Sequence, residues 1–340
     1  MAKVYAYQNN LASRMNSASG GAFSALVNSW IAYNNKVGIE DSRLAIYGAA
    51  YDDNFQVHHM RCDTTNWDSL KGSKYTVSNF AGVFELIDKD VHEGHNILFS
   101  GTPCQVASLK KYIERKNWNR DSFFLVDIVC HGTPEGKIWI DYKKYIERIY
   151  GGSLIKYNFR YKNTHSIEPI VYAEFSNGKI VKDTKELRSY LDLYFTYLPL
   201  RNCCYNCQFS NMNRVSDITI GDFWGADIIF KKINTYKGIS QIIVNTDYGN
   251  EIFIGLSSYE KETLMECNSN EFLKYQHNLV SPTPMPLNVE EFRKYYDENG
   301  YEVCIHKYVG EGKRYAIIFA LKRFVSYLGI KQYIKRIIRS

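Results

Sequence analysis

The chain is poor in proline, with 7 in 340 residues, and contains no low-complexity tract, which excludes a long internal linker. No segment repeats at solenoid length, so a stacked-repeat architecture is excluded too. The first residues, MAKVYAYQNN, lack the apolar core of a secretion signal, and no run reaches the length of a membrane span. A cytoplasmic chain is therefore expected. A surplus of basic residues on a globular face is also missing. The net charge is +6, but eight of the 42 cations follow Glu311, where no acid occurs. That leaves 34 cations against 36 acids before it, and no nucleic-acid partner is expected. Finally, Cys204-x-x-Cys207 has no second Cys-x-x-Cys and no matching histidine pair, as a structural zinc ribbon normally requires.

Apolar residues are 45% and aromatics 15%, enough for a sizeable core in one large α/β domain or two smaller ones. The 28 tyrosines suggest no function by themselves. In a reducing compartment, eight cysteines point to metal or redox work before disulfides. Cys62, Cys267 and Cys304 have no neighbour in sequence and read as buried or incidental thiols. The others gather around the stretch from Arg201 to Gly225, RNCCYNCQFSNMNRVSDITIGDFWG, which places three thiols within five residues.

From residue 96 the pattern alternates strand, turn and helix. Asn96–Ser100 leads through Gly-Thr-Pro-Cys104 into a helix over Gln105–Arg115. Phe123–Val129 leads through Cys130-His-Gly-Thr-Pro134 into a helix over Gly136–Tyr150. Such alternation argues a mainly parallel sheet with crossover helices, whose ligands collect beyond the carboxyl ends of the strands. Cys104 and Cys130 are then expected to face one crevice. Residues 153–182 read as an antiparallel β-rich insertion, with a turn at Ser176-Asn-Gly178. The expected parts are 1–95, 96–309 and a tail over 310–340. In that tail Ile317, Leu321, Phe324, Val325 and Leu328 recur at helical spacing opposite Lys322 and Arg323. It reads as a basic amphipathic helix, suited to an anionic membrane surface on the inner face or to docking on the protein's own core.

Several motifs carry chemistry and each has a plainer alternative. Ser17-Ala-Ser-Gly-Gly21 precedes a helix and can offer amides to a phosphate, or be a simple cap and turn. Lys71-Gly-Ser-Lys-Tyr75 can cradle a phosphate or a flavin edge, or be a solvated turn. Cys204-x-x-Cys207 suits an iron–sulfur cluster, zinc or a redox pair, since thiolates serve all three. His131 is a candidate ligand or proton donor, or a histidine packed in its turn. Asp222 and Trp224 follow a strand and can line the same crevice, or pack in the core.

Taken together and in order, Ser17–Gly21, Lys71–Tyr75, Ser100-Gly-Thr-Pro-Cys-Gln105, Val129-Cys-His-Gly132, Cys204–Cys207 and Ser216–Gly225 resemble the coenzyme F420 hydrogenase/dehydrogenase beta-subunit family. The likeness covers about residues 12–250. It implies an α/β flavoprotein oxidoreductase with FAD and a 4Fe–4S cluster. Position by position, it makes Cys104, Cys130, Cys204 and Cys207 the cluster ligands, with Cys203 a substitute for Cys204. Ser19, Gly20, Gly21, Lys74, Tyr75 and Thr102 become flavin contacts; His131, as proton donor, and Asp222 are the candidate catalytic residues. Many relatives carry an amino-terminal ferredoxin module; here Cys62 is the first cysteine. A separate electron donor is therefore expected, ferredoxin-like or a reduced nicotinamide or deazaflavin. Members without the module, found in bacteria that build surface polysaccharides, are the nearer match, and they imply a nucleotide- or lipid-linked sugar as organic substrate. The alternatives are a zinc-stabilised transferase or scaffold of glycan assembly, and an electron-transfer subunit with no substrate of its own.

Overall fold

The computed structural model describes residues 3–164, 169–231, 233–256 and 261–310. Its strands are β1 (Lys3–Asn9), β2 (Leu44–Tyr51), β3 (Val57–Cys62), β4 (Asn96–Gly101), β5 (Phe123–Ile128), β6 (Leu154–Tyr161), β7 (Ile170–Phe175), β8 (Ile180–Lys182), β9 (Ile218–Asp222), β10 (Ser240–Val244) and β11 (Lys261–Glu266). Its α-helices are α1 (Leu11–Met15), α2 (Ala22–Lys36), α3 (Val83–His92), α4 (Pro103–Lys116), α5 (Gly136–Tyr150), α6 (Lys185–Tyr194), α7 (Asn202–Tyr205), α8 (Ala226–Ile229), α9 (Asp247–Gly255) and α10 (Val289–Tyr308). The tail expected to be an amphipathic helix lies outside the described residues.

Two compact units interleave along the chain. The first comprises the described residues up to Lys71, Ser78–His131 and Cys207–Pro282; the second comprises Gly72–Val77, Gly132–Asn206 and the described residues from Thr283. Residues on both sides of position 95 build the first unit's sheet, since β4 lies between β2 and β5.

The first unit is an eight-stranded sheet in the order β11-β1-β10-β9-β5-β4-β2-β3. Its centre, β9-β5-β4-β2, is parallel, as the strand–turn–helix alternation implies. Both flanks are antiparallel, which that alternation does not show. The central strands are buried on both faces, as parallel strands covered by helices must be. Ile46, Leu98 and Phe124 meet Leu26, Val27 and Trp30 of α2 on one side. Ala45, Ile97 and Phe123 meet Val83 and Ile87 of α3 and Val106, Leu109 and Ile113 of α4 on the other. Burying each such side chain contributes roughly 1.5–3 kcal/mol, so this alternation fixes the register of the centre.

The second unit holds the expected antiparallel sheet, β6-β7-β8, with α5, α6 and α10. Trp139, Tyr142, Tyr157, Phe159 and Tyr190 pack ring against ring at its centre. Helix α10 is interrupted at Gly300, whose φ of 73° requires glycine. No helix among the described residues is long and apolar enough to cross a membrane.

Candidate functional site

Strands β4, β5 and β9 end at one edge of the first unit's sheet: Gly101 is level with Asp127, and Ile128 with Ile220. Cys104 lies in the first turn of α4, directly after β4, and is exposed. Cys130 follows β5 by two residues and is half-buried. The two cysteines thus stand past the carboxyl ends of adjacent parallel strands, where α/β sheets bind ligands. Helix α4 starts there because Thr102 is extended (φ −68°, ψ 156°) ahead of a proline, and Gln105 Oε1 accepts from the Thr102 amide at 3.0 Å. Arg115 and Lys116 in its last turn suit the negative end of the helix.

Strand β1 reaches the same edge, since Tyr7 is level with Ser240 and Ser240 with Asp222. The Asn9 amide donates to Gly20 O at 2.8 Å, which brings Ser19-Gly20-Gly21 there as well. Gly20 is a glycine for a reason the sequence does not reveal. A Cβ on it lies 2.4 Å from both Tyr7 O and Ser240 N, so the close approach it permits is that of the protein's own strands. Ser19 Oγ donates to Ile239 O at 2.9 Å. Gly21 opens α2 with φ 91° and no capping side chain. Of the three, Gly21 stands at the start of a fifteen-residue helix, whose dipole favours an anion; it has no capping side chain of its own, and the Ala22 amide donates to Ser240 Oγ at 3.4 Å.

His131 stacks on Trp224, centroids 4.9 Å apart and planes 24° apart. The indole is 43% exposed, a surface position and not a core one. Burial lowers the imidazole pKa, against the opposing pull of an Asn278 hydrogen bond and the Asp222 charge. The ring is therefore held neutral near pH 7, with one nitrogen to donate and one to accept. Asp222 is half-buried, and its backbone oxygen accepts from Gln276 Nε2 at 2.9 Å.

Cys207, half-buried, opens a turn closed by Ser210 N donating to Cys207 O. The loop beyond is pinned by Arg214, 2% exposed. Its guanidinium donates to Phe209 O at 2.8 Å and Thr219 Oγ1 at 3.1 Å, and meets Asp127 Oδ2 at 2.9 Å. Burial still holds the Asp127 carboxyl above its usual pKa, although Arg214 acts against it. A second pair, Arg120 with Asp217 at 2.8 Å, holds the start of β9, and Asp217 also accepts from Leu125 N. Sequence reading missed Arg214 and Asp127. The only signal was an Arg between a cysteine turn and a buried strand, and an Asp inside an apolar one.

The second unit contains Lys74, Tyr75, Cys203 and Cys204. Tyr75 packs its ring on Phe159 and Tyr194, and its carbonyl accepts from Tyr190 Oη at 2.8 Å. Lys74 beside it is half-buried. Cys203 is exposed and Cys204 half-buried on the single turn α7. Burial raises the Cys204 thiol pKa, the Thr133 amide opposes this, and the neighbouring Cys203 adds to it. Binding a soft metal there therefore displaces a proton.

All eight cysteines are reduced thiols. Cys62 and Cys304 are buried, while Cys104, Cys130, Cys203, Cys204 and Cys207 are exposed or half-buried. Reachable thiols are the donor type that a soft metal centre uses. Asp90, Glu93 and His95 also lie together, but the Asp90 carboxylate is held by Arg61 at 2.8 Å and Tyr47 at 2.5 Å. That is an ion-pair network.

The family described as the carboxyl terminus of the coenzyme F420 hydrogenase/dehydrogenase beta subunit matches residues 94–268. No curated protein matches the chain. Among solved structures, a chain of the xenon-derivatised F420-reducing NiFe hydrogenase complex from Methanosarcina barkeri is similar, at 15% identity and a TM-score of 0.51. The match covers 88% of this chain and 93% of that one, and it shows a shared fold.

Proposed function

The chain belongs to the coenzyme F420 hydrogenase/dehydrogenase beta-subunit family, and from that premise we propose an iron–sulfur flavoprotein oxidoreductase acting on an organic substrate. The observation that carries this reading is the placement of Cys104 and Cys130, reachable thiols at the carboxyl ends of neighbouring parallel strands. In this reading Cys104, Cys130, Cys204 and Cys207 ligate a 4Fe–4S cluster. Ser19, Gly20, Gly21, Lys74, Tyr75 and Thr102 contact FAD, with the start of the long helix α2 at Gly21 as the support for an anionic group. Bound, the two cofactors supply one-electron and hydride chemistry.

The protein's own groups do the rest. Arg214 keeps the Cys207 loop on the sheet through Asp127. The neutral His131 imidazole holds a proton within the field of the Asp222 charge, and these two are the candidate catalytic residues of this reading. The exposed face of Trp224 offers a stacking surface for a ring, which suits a sugar carried on a nucleotide or lipid. Electrons come from a separate donor. A second reading, an electron-transfer subunit without its own substrate, is favoured by the fold it shares with a chain of a hydrogenase complex.

The test is anaerobic purification with iron, sulfide and flavin assays on the wild type, Cys204→Ser and Cys207→Ser. The wild type is expected to be brown, and each variant to lose iron and activity together. Full iron in both variants, or a colourless wild type holding zinc after anaerobic reconstitution, overturns the reading. Turnover with a donor and acceptor by the protein alone decides against the second reading.

A further inference from the structure

The tripeptide Gly-Thr-Pro occurs twice, at 101–103 and 132–134, and in both places the threonine touches a cysteine sulfur. In the first unit, Thr102 Oγ1 lies 3.1 Å from Cys104 Sγ and 2.9 Å from Gln105 Oε1. Gln105 Oε1 also accepts from the Thr102 amide at 3.0 Å. A hydroxyl has one proton to give. While Cys104 is a thiol, its S–H can donate to Oγ1 and the hydroxyl can donate to Gln105. Once the sulfur is a thiolate it can only accept, and the hydroxyl can turn to it without orphaning Gln105 Oε1, which keeps the amide. The capping arrangement thus holds a hydroxyl in reserve for a charged sulfur.

In the second unit the Thr133 amide donates to Cys204 Sγ at 3.5 Å, with Thr133 Oγ1 4.0 Å from the same sulfur. The turn is held close by several independent contacts. Gly132 has φ 101°, and a Cβ on it lies 2.8 Å from Leu200 Cδ1 and 3.1 Å from Cys204 Cβ. The Arg201 amide donates to Thr133 O at 3.0 Å, and Tyr194 Oη donates to Gly132 O at 3.2 Å. Two turns of the same sequence, in different units, each bring a threonine hydrogen-bonding group to a sulfur. Packing alone gives no reason for that repetition.

We propose that Thr102 and Thr133 are the sulfur-directed hydrogen-bond donors of the metal centre, positioning residues that draw charge from Cys104 and Cys204 and so set its reduction potential. The inference rests on the iron–sulfur reading above. Hydrogen bonds to ligand sulfur stabilise the more negative, reduced state and raise the potential. Thr102 acts through its hydroxyl, which valine removes. Thr133 acts chiefly through its amide, which valine keeps.

The experiment is a redox titration, followed by absorption and electron paramagnetic resonance, of the full chain carrying Thr102→Val, Thr102→Ser or Thr133→Val. Iron and sulfide are assayed on each sample. Expected is wild-type iron in all three. Thr102→Val should shift the reduction equilibrium about tenfold toward the oxidised form, ~59 mV for a one-electron couple. The shift should be smaller in Thr133→Val and absent in Thr102→Ser. Equal iron with unchanged potential in Thr102→Val overturns the inference and leaves the cluster reading standing. Loss of iron in both Thr102→Val and Thr102→Ser also overturns it, because the side chain is then needed for its shape. A wild type without iron after reconstitution overturns the cluster reading itself, and this inference with it.

Discussion

The two units secure their buried polar groups by different physics. The first relies on charge. Arg214 and Asp127 are 2% and 0% exposed in side chain, in a core that is otherwise mainly aliphatic. The second relies on phenols. Tyr142 Oη donates to Leu187 O at 2.8 Å and pairs with Tyr157 Oη at 2.9 Å, and Tyr301 Oη meets Ser189 Oγ at 2.9 Å. A buried ion pair is costly to assemble and costlier to break, because either partner left alone is an uncompensated charge. A network of neutral hydroxyls degrades one bond at a time. Of the 24 tyrosines among the described residues, 15 belong to the second unit.

The contrast can be broken in three ways. Arg214→Met leaves Asp127 charged and buried, and should cost ~3–5 kcal/mol in urea unfolding. It should also weaken metal retention, since the Cys207 loop loses its anchor; a midpoint within error of wild type removes the basis of the comparison. Tyr142→Phe takes away one donor and should cost about 1–2 kcal/mol, with residue-resolved hydrogen exchange locating the loss in the second unit. A loss as large as that of Arg214→Met makes the distinction void. The third probe has no effect at neutral pH. Burial raises the Tyr142, Tyr157 and Tyr301 pKa values well above the ordinary value of 10.0. In the unfolded chain the same phenols ionise near that value, so the stability they contribute is present below it and is lost as pH rises beyond it. Hydrogen exchange across this range should show the second unit losing protection first; simultaneous loss in both units contradicts the picture.

Much of the site's scaffold is legible in sequence because strand, turn and helix each leave a local mark. The helix over Gly136–Tyr150 is read to the residue, and the turns carrying Cys104 and Cys130 are read as ligand-facing. What escapes is non-local. Strand β1 alternates Val4, Ala6 and Gln8 with Tyr5 and Tyr7, a mixture without a clear polar face, because both faces are covered. The place of β1 in the sheet depends on pairings more than 200 residues apart, such as Ala6 with Gln241. Gly20 reads as a phosphate-loop glycine until Tyr7 and Ser240 are found against it. Thr133 carries no signal until Cys204 is seen beside it.

Among the described residues, strand β1 pairs only with β10 and β11, and this has a consequence for synthesis on the ribosome. Translation runs at about 5–20 residues per second, so the first strand waits on the order of 12–50 seconds before Val244 has even been added to the chain. During that wait Tyr5, Ala6 and Tyr7 lack their sheet partners, while three strands of the parallel centre, β2, β4 and β5, have been made by Ile128. The nascent chain is thus a half-sheet in which β1 stays unpaired until β10 follows.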